Sequence, residues 1–395
     1  MLDAGATIRR LRRLASGAIL IALAPVCVLA QEASPPIAVA ARIVDNGDSA
    51  KLTFDLSAPV SAAAHAMVDP DRIVVDLGEV NFQFDPSVGH PAAKRDAIVK
   101  AFRFGLFGPG KSRIVIDLGR PACIGKIETA TVAKGAAPSR LSIELSRCEP
   151  GTFAAAARQA VESAASPQSA PPDADADAGS GPPVIVLDPG HGGVDGGAYG
   201  VGGATEKTIV YEYAMELKRR LEALNRFKVV LTRIGDQYVS LEDRVRIGRE
   251  ANAALFVSIH ADAVSEGGAE VSGATVYTCS ERASDAQAAR IAEHENAADK
   301  AAGADHKPEP ADVADILFDL KRRETRTYAH MFSRGVVQEL EGATRLNRNP
   351  ERSAGFVVLK APDFPSVLVE LGYLSNPQDL RSLTSPEWRA KAAAA

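Results

Sequence analysis

The stretch "PVIVLDPGHGGVDGGA", residues 183–198, runs from a strand into a loop. "PVIVLDPG" is a continuous apolar run closed by Pro and Gly, the pattern of a strand buried on both faces. The loop that follows sets a single histidine, His191, among a dense cluster of glycines. Glycines let a backbone turn tightly and let a ligand come close. A phosphate cradle needs only those glycines and a helix N-terminus. It has no use for an imidazole, so the loop points to a different ligand.

Downstream, the pattern alternates. "EKTIVYEYAMELKRRLEAL" has helical period, "FKVVLTR" reads as a strand, "LEDRVRIGREANA" as a helix and "ALFVSIHAD" as a strand. Further strands are expected at "GFVVL" and "SVLVELGYLSN". Strands alternating with helices predict an α/β domain over residues 183–392, its sheet mostly parallel and flanked by helices. In such sheets chemistry gathers beyond the carboxyl ends of the strands.

Upstream, the composition changes twice. Residues 149–182 are rich in Ala, Ser, Pro, Asp and Gly, too poor in apolar area to order themselves, and read as a disordered linker. Residues 37–148 are short β-branched runs separated by turn residues, predicting a small all-β sandwich. That domain carries no catalytic constellation; His65 and His90 are isolated and read as surface or core residues. Residues 1–30 carry four arginines, then an apolar stretch broken by Pro25, then Val28-Leu29-Ala30. That is a secretory signal peptide. A transmembrane anchor would need a longer unbroken apolar run, so none is expected after cleavage. The Sec and twin-arginine routes both stay open. Export makes a Cys123–Cys148 disulfide permissible, with two buried thiols as the alternative. The net charge of −5 becomes about −8 without residues 1–30. With no basic patch, nucleic acid is excluded as a partner.

Four residues then fall on one rim. His191 follows the first strand of the α/β domain, Glu206 opens its first helix, His260 ends "ALFVSIH" and Glu370 ends "SVLVE". Two imidazoles and one carboxylate are a common catalytic zinc set with a fourth position open. A second carboxylate beside them serves as general base. Asp188 and Asp262 are candidates to orient the imidazoles. Taken singly, each has an ordinary reading: a capped strand end, a first-turn helix glutamate, an ion-pair partner.

These motifs resemble the zinc-dependent N-acetylmuramoyl-L-alanine amidases of the cell-separation type. The resemblance rests on "VIVLDPGHGGVDGGA", Glu206-Lys207, "SIHAD" and "PSVLVELGYLSN", and covers residues 183 to about 392. It implies Zn2+ held by His191, Glu206 and His260, with Glu370 as catalytic base. Where the family more often has Thr-Gly-Phe after that glutamate, this chain has Leu371-Gly372-Tyr373. The β-rich segment resembles the AMIN domain, a targeting module, through "RIVVDLGEV" and "FRFGLFGPGKSRIVIDLG". The implied reaction is hydrolysis of the amide between N-acetylmuramic acid and L-alanine in peptidoglycan, in the periplasm. Two rivals are a non-catalytic wall-binding protein, which should have lost a ligand or Glu370, and a zinc peptidase cutting another peptidoglycan bond.

An insert at residues 280–345 interrupts the domain. Two helices fit it, broken near Pro308 and Pro310. In the first, Ala288, Ile291, Ala292, Ala298 and Ala302 form a stripe that also carries Glu295. A carboxylate on a buried stripe needs a partner, and zinc would be one. Glu295 is therefore expected as an inhibitory fourth ligand, against the alternative of a solvated glutamate. The resemblance supports such a blocking helix. It also implies that Val313, Ile316, Leu317 and Leu320 on the second helix dock an activator with a LytM-type domain.

Overall fold

The computed structural model describes residues 35–92, 95–131, 138–164, 181–264, 270–304 and 316–395. The expected signal peptide lies outside them. Among the described residues no helix is long and apolar enough to cross a membrane.

The N-terminal part comprises β1 (Ile37–Asp45), β2 (Ser49–Leu56), β3 (Ala62–Met67), β4 (Arg72–Gly78), β5 (Asn81–Phe82), β6 (Val99–Gly108), β7 (Lys111–Leu118), β8 (Ala122–Thr131) and β9 (Ser139–Arg147). They form two sheets, β5-β1-β2-β9-β8 and β3-β4-β7-β6. Pairing is antiparallel except where short β5 joins β1. Successive side chains of a strand point to opposite faces. Leu52 and Phe54 on β2, Ile73 and Val75 on β4, Phe102 on β6, and Ile114 and Ile116 on β7 thus fill one shared core. Cys123 and Cys148, on neighbouring antiparallel segments, are disulfide-bonded, as export permits.

The start of the segment expected to be a disordered linker is helical instead. Residues Pro150–Ala164 form α1, packed beside β3 and β8. Phe153 and Ala157, one turn apart, are buried in the sandwich core. A composition averaged over the whole segment hides a proline at the first helical position, a run of alanines and one aromatic anchor. The remaining linker residues, 165–180, lie outside the described residues.

The second part comprises β10 (Val184–Pro189), α2 (Glu206–Ala223), β11 (Lys228–Leu231), α3 (Leu241–Glu250), β12 (Ala253–His260), β13 (Ala274–Cys279), α4 (Ala286–Asn296), α5 (Ala298–Ala301), α6 (Ile316–Ala343), β14 (Leu346–Ala354), β15 (Ser366–Glu370), α7 (Pro377–Leu383) and α8 (Pro386–Ala392). Its sheet runs β11-β10-β12-β15-β13-β14. The first four strands are parallel; β13 and β14 are parallel to each other but antiparallel to β15. The sheet is therefore mixed. Ile185, Leu187, Val257 and Val367 pack under α2, α6 and α8. Val186, Phe256 and Leu368, on the other face, pack near α3 and α4.

"GFVVL" is not a strand: Val357–Leu359 is a 3-10 turn, and the strand, β14, precedes it. A short apolar run does not distinguish a strand from any other buried segment. Here Phe356, Val358 and Leu359 cap the core on the α4 side. The insert contains α4, α5 and α6, so the first of the two expected helices is divided at Ala297; its proline turn lies outside the described residues, as does Val313.

The placement of α1 is testable. Phe153→Ala should cost the N-terminal domain about 3 kcal/mol, read as a lower urea midpoint. A solvated linker would leave that midpoint unchanged.

Candidate metal centre

The carboxyl ends of three neighbouring strands assemble the site. β10 delivers the glycine loop, β12 ends at His260 and β15 at Glu370, and the last two are register partners. The loop returns to the rim through α2, whose first residue is Glu206. His191, Glu206, His260, Glu295 and Glu370 are all buried.

His191 Nε2 lies 3.1 Å from Glu206 Oε2, and His260 Nδ1 lies 3.2 Å from Glu206 Oε1. One ligand atom from each of His191, Glu206, His260 and Glu295 falls within 4.8 Å of the other three. His191 Nε2, despite that proximity, makes no hydrogen bond. Glu206 is held in place by the amides of Ala261 (2.8 Å) and Ala198 (2.9 Å).

The glycines of the loop are required by contact. A Cβ on Gly190 would sit 2.4 Å from the His260 ring. On Gly197, at φ +64°, it would meet both Glu206 and His191 at 2.6 Å. His191 itself adopts a left-handed φ of +58°. Such a backbone persists only where its surroundings impose it, and two buried arginines do so here. Arg233 donates to the carbonyls of Pro189 (2.9 Å), Gly190 (3.1 Å) and Lys207 (2.7 Å). Arg244 donates to the carbonyls of Pro189 (3.0 Å) and His191 (2.7 Å).

Asp188 does not reach an imidazole. It accepts from Arg244, Thr232 and Ser258 at 2.6–2.7 Å and so anchors the arginine that holds His191's backbone. The residue on the imidazole is Asp195, whose Oδ2 is 2.9 Å from His191 Nδ1. Its sequence signal was only an acidic residue four positions after the histidine in the same loop. The partners of Asp262 are Glu370 and His294: its amide donates to Glu370 Oε2 (3.1 Å), and its carboxylate lies 3.4 Å from His294.

Glu295 reaches the centre from α4. Its Oε2 is 3.2 Å from His260 Nδ1 and 3.5 Å from His191 Nε2. The stripe behind it, Ala288, Ile291 and Ala292, is buried, while Glu293 is exposed. Neighbouring His294 bridges Asp262 and Glu295, and those two carboxylates push its pKa up to about 11. Of the expected docking residues, Ile316, Leu317 and Leu320 belong to the first turns of α6.

The acids of the site perturb one another and the imidazoles. Burial drives the Glu370 carboxyl well above its ordinary pKa, and Asp262, Glu206 and Glu295 add to the shift. Burial alone would lower His191, but Asp195, Glu206 and Glu295 outweigh it and raise that imidazole. Glu370 Oε1 and Glu295 Oε1 are buried without hydrogen-bond partners. Buried carboxylates of one sign are stable only if neutralised. Two imidazoles and carboxylate oxygens around one point fit a divalent ion of zinc type, with N and O donors.

The family described as N-acetylmuramoyl-L-alanine amidase matches residues 185–395, and the AMIN domain matches residues 40–145. The chain is 32% identical over 391 residues to N-acetylmuramoyl-L-alanine amidase AmiC of Neisseria meningitidis, covering 95% of this chain and 92% of that protein. It is 31% identical to AmiC of Escherichia coli O6:H1, over 90% of this chain and 86% of that one. A solved structure, amidase AmiC2 of Nostoc punctiforme, is 30% identical over 55% of this chain and 93% of its own, with a TM-score of 0.38.

Asp195→Asn should weaken zinc binding about 10–100-fold by releasing the His191 ring. Competition with a chromogenic chelator measures this. An unchanged affinity would mean that Asp195 does not set the imidazole.

Proposed function

The chain belongs to the N-acetylmuramoyl-L-alanine amidase family with an AMIN domain ahead of its catalytic part, and from that premise we propose a zinc-dependent, autoinhibited enzyme of the periplasm. It hydrolyses the amide between the lactyl group of N-acetylmuramic acid and L-alanine, for cell separation. The observation that carries this reading is the convergence of His191, Glu206 and His260 on one point, with Glu370 in register beside His260.

In this reading His191, Glu206 and His260 hold the ion. When bound, zinc polarises the scissile carbonyl and acidifies the attacking water. Glu370 takes the proton from that water and passes it to the departing amine of L-alanine. Its buried, hydrogen-bond-free Oε1 supports that role, and the Asp262 amide on Oε2 fixes its orientation. Arg233 and Arg244 keep the loop open around the reacting bond by holding its backbone. Asp195 keeps the His191 ring turned toward the ion.

Glu295 would hold the ion as an inhibitory ligand, and α4 would fill the substrate's place. Activation then requires a partner that withdraws α4. A LytM-domain protein docking on Val313, Ile316, Leu317 and Leu320, in the same insert, is that partner in our reading.

Zinc content and muropeptide release, measured in parallel, test the reading. Glu295→Ala should release stem peptides bearing N-terminal L-alanine at least about tenfold faster than the parent chain without an activator. Adding Glu370→Ala should leave zinc bound and reduce release by a factor of about 100 or more. Bound zinc with fragments lacking that terminus would mean that another bond is cut.

A further inference from the structure

The second sheet of the N-terminal sandwich has an outer face that ought to be wet. Arg72 and Val74 on β4, and Arg113 and Val115 on β7, alternate with the core residues Ile73, Val75, Ile114 and Ile116 and so point away from the core. Yet Val74 and Val115 are 0% exposed. What covers them is the segment that continues the blocking helix.

α5 follows α4 after the single residue Ala297, and Ala302 to Ala304 continue it. Ala302 is fully buried in a cluster with Val115, Val194 and Tyr238. Gly303, at φ +68°, brings its backbone so close that a Cβ would lie 2.7 Å from Val74 Cγ2. Arg113 Nη1 donates to the carbonyls of Gly303 (2.5 Å) and Ala302 (3.4 Å), and Arg72 Nη1 donates to that of Lys300. These carbonyls lie at and just after the C-terminal end of α5, where cations are favourable. Asp117 holds Arg72 (2.8 Å) and Asp76 holds Arg113 (2.7 Å), so both guanidinium groups are positioned by their own domain.

The catalytic domain grips the same segment from the other side. Asp299 accepts from Tyr238 Oη (2.5 Å) and from the Leu241 amide (3.0 Å). Tyr238 stacks on Phe107 of β6, and the Arg113 guanidinium lies 3.3 Å over that same Phe107 ring. Residues 299–304 are thus clasped between the two domains, starting four positions after Glu295.

We propose that the N-terminal β domain is the latch of the blocking helix: Arg72, Arg113, Val74 and Val115 hold residues 299–304 and so keep Glu295 in the metal centre. This rests on the reading of α4 as the lock of the amidase site. Opening the lock and loosening the domain contact become one equilibrium, each favouring the other by the same factor. A module read as wall targeting then also sets how tightly the enzyme is closed.

The test uses the zinc-loaded full chain, Arg72→Ala/Arg113→Ala, Ala302→Asp and Glu295→Ala. Ala302→Asp lies outside the sandwich, so it remains informative if the arginine pair destabilises that domain. Hydrogen exchange over residues 286–304 should accelerate at least about tenfold in both latch variants, the scale of one lost charge-assisted hydrogen bond. Exchange in β2 and β12 should not change. Activator-free release of stem peptides should rise toward that of Glu295→Ala. Exchange over 286–304 at the parent rate in both variants overturns the latch, as does acceleration that only accompanies faster exchange in β2 and β12. Exchange decides the latch without any catalytic readout. If Glu295→Ala releases no stem peptide, it is the amidase-lock reading that fails.

Discussion

Five buried carboxylates and two buried imidazoles crowd the carboxyl ends of the strands: Asp195, Glu206, Asp262, Glu295, Glu370, His191 and His260. Such a concentration of acid in low dielectric is untenable without positive charge. The imidazoles supply part of it, and in the proposed function a bound dication would supply the rest. Much of the surrounding architecture serves to hold these groups together against their repulsion. Parallel β12 and β15 put His260 beside Glu370. The first turn of α2 brings Glu206 under two backbone amides.

The same constraint explains the loop. Ligand atoms this close leave no space for side chains between them, so glycine is obligatory at Gly190 and Gly197. A glycine-rich loop loses more conformational freedom on ordering than any other. Arg233 and Arg244 offset that cost by fixing the carbonyls of residues 189–191, and Asp188 fixes Arg244 in turn. The chain therefore uses buried guanidinium groups as backbone fasteners rather than as ligand binders.

In the proposed function, regulation would use the open position that a catalytic ion needs. Glu295, on the buried face of α4, reaches both imidazoles and would take that position. Its hold is shared over a chain of contacts through His294, Asp299, Ala302 and Gly303 to the outer face of the N-terminal sandwich. The two domains thus meet at two elements, the glycine loop through Val194 and Leu106, and the segment after α4 through Arg113.

The sequence by itself determined the two-domain plan, the α/β class and the metal-type residues, because hydrophobic periodicity and strand-end position are local properties. It also marked Glu295, since a carboxylate on an apolar helical stripe is anomalous wherever the helix packs. Only the tertiary structure decided which acid serves which histidine. Asp188 is adjacent in sequence to the loop, yet strand alternation turns it toward Arg244, and Asp195 takes the imidazole. The reversal of β13 and β14, the anchoring of α1 by Phe153 and the clasp on residues 299–304 were equally illegible. Each depends on a surface contributed by residues far away in the chain, and no local pattern records what will be packed against it.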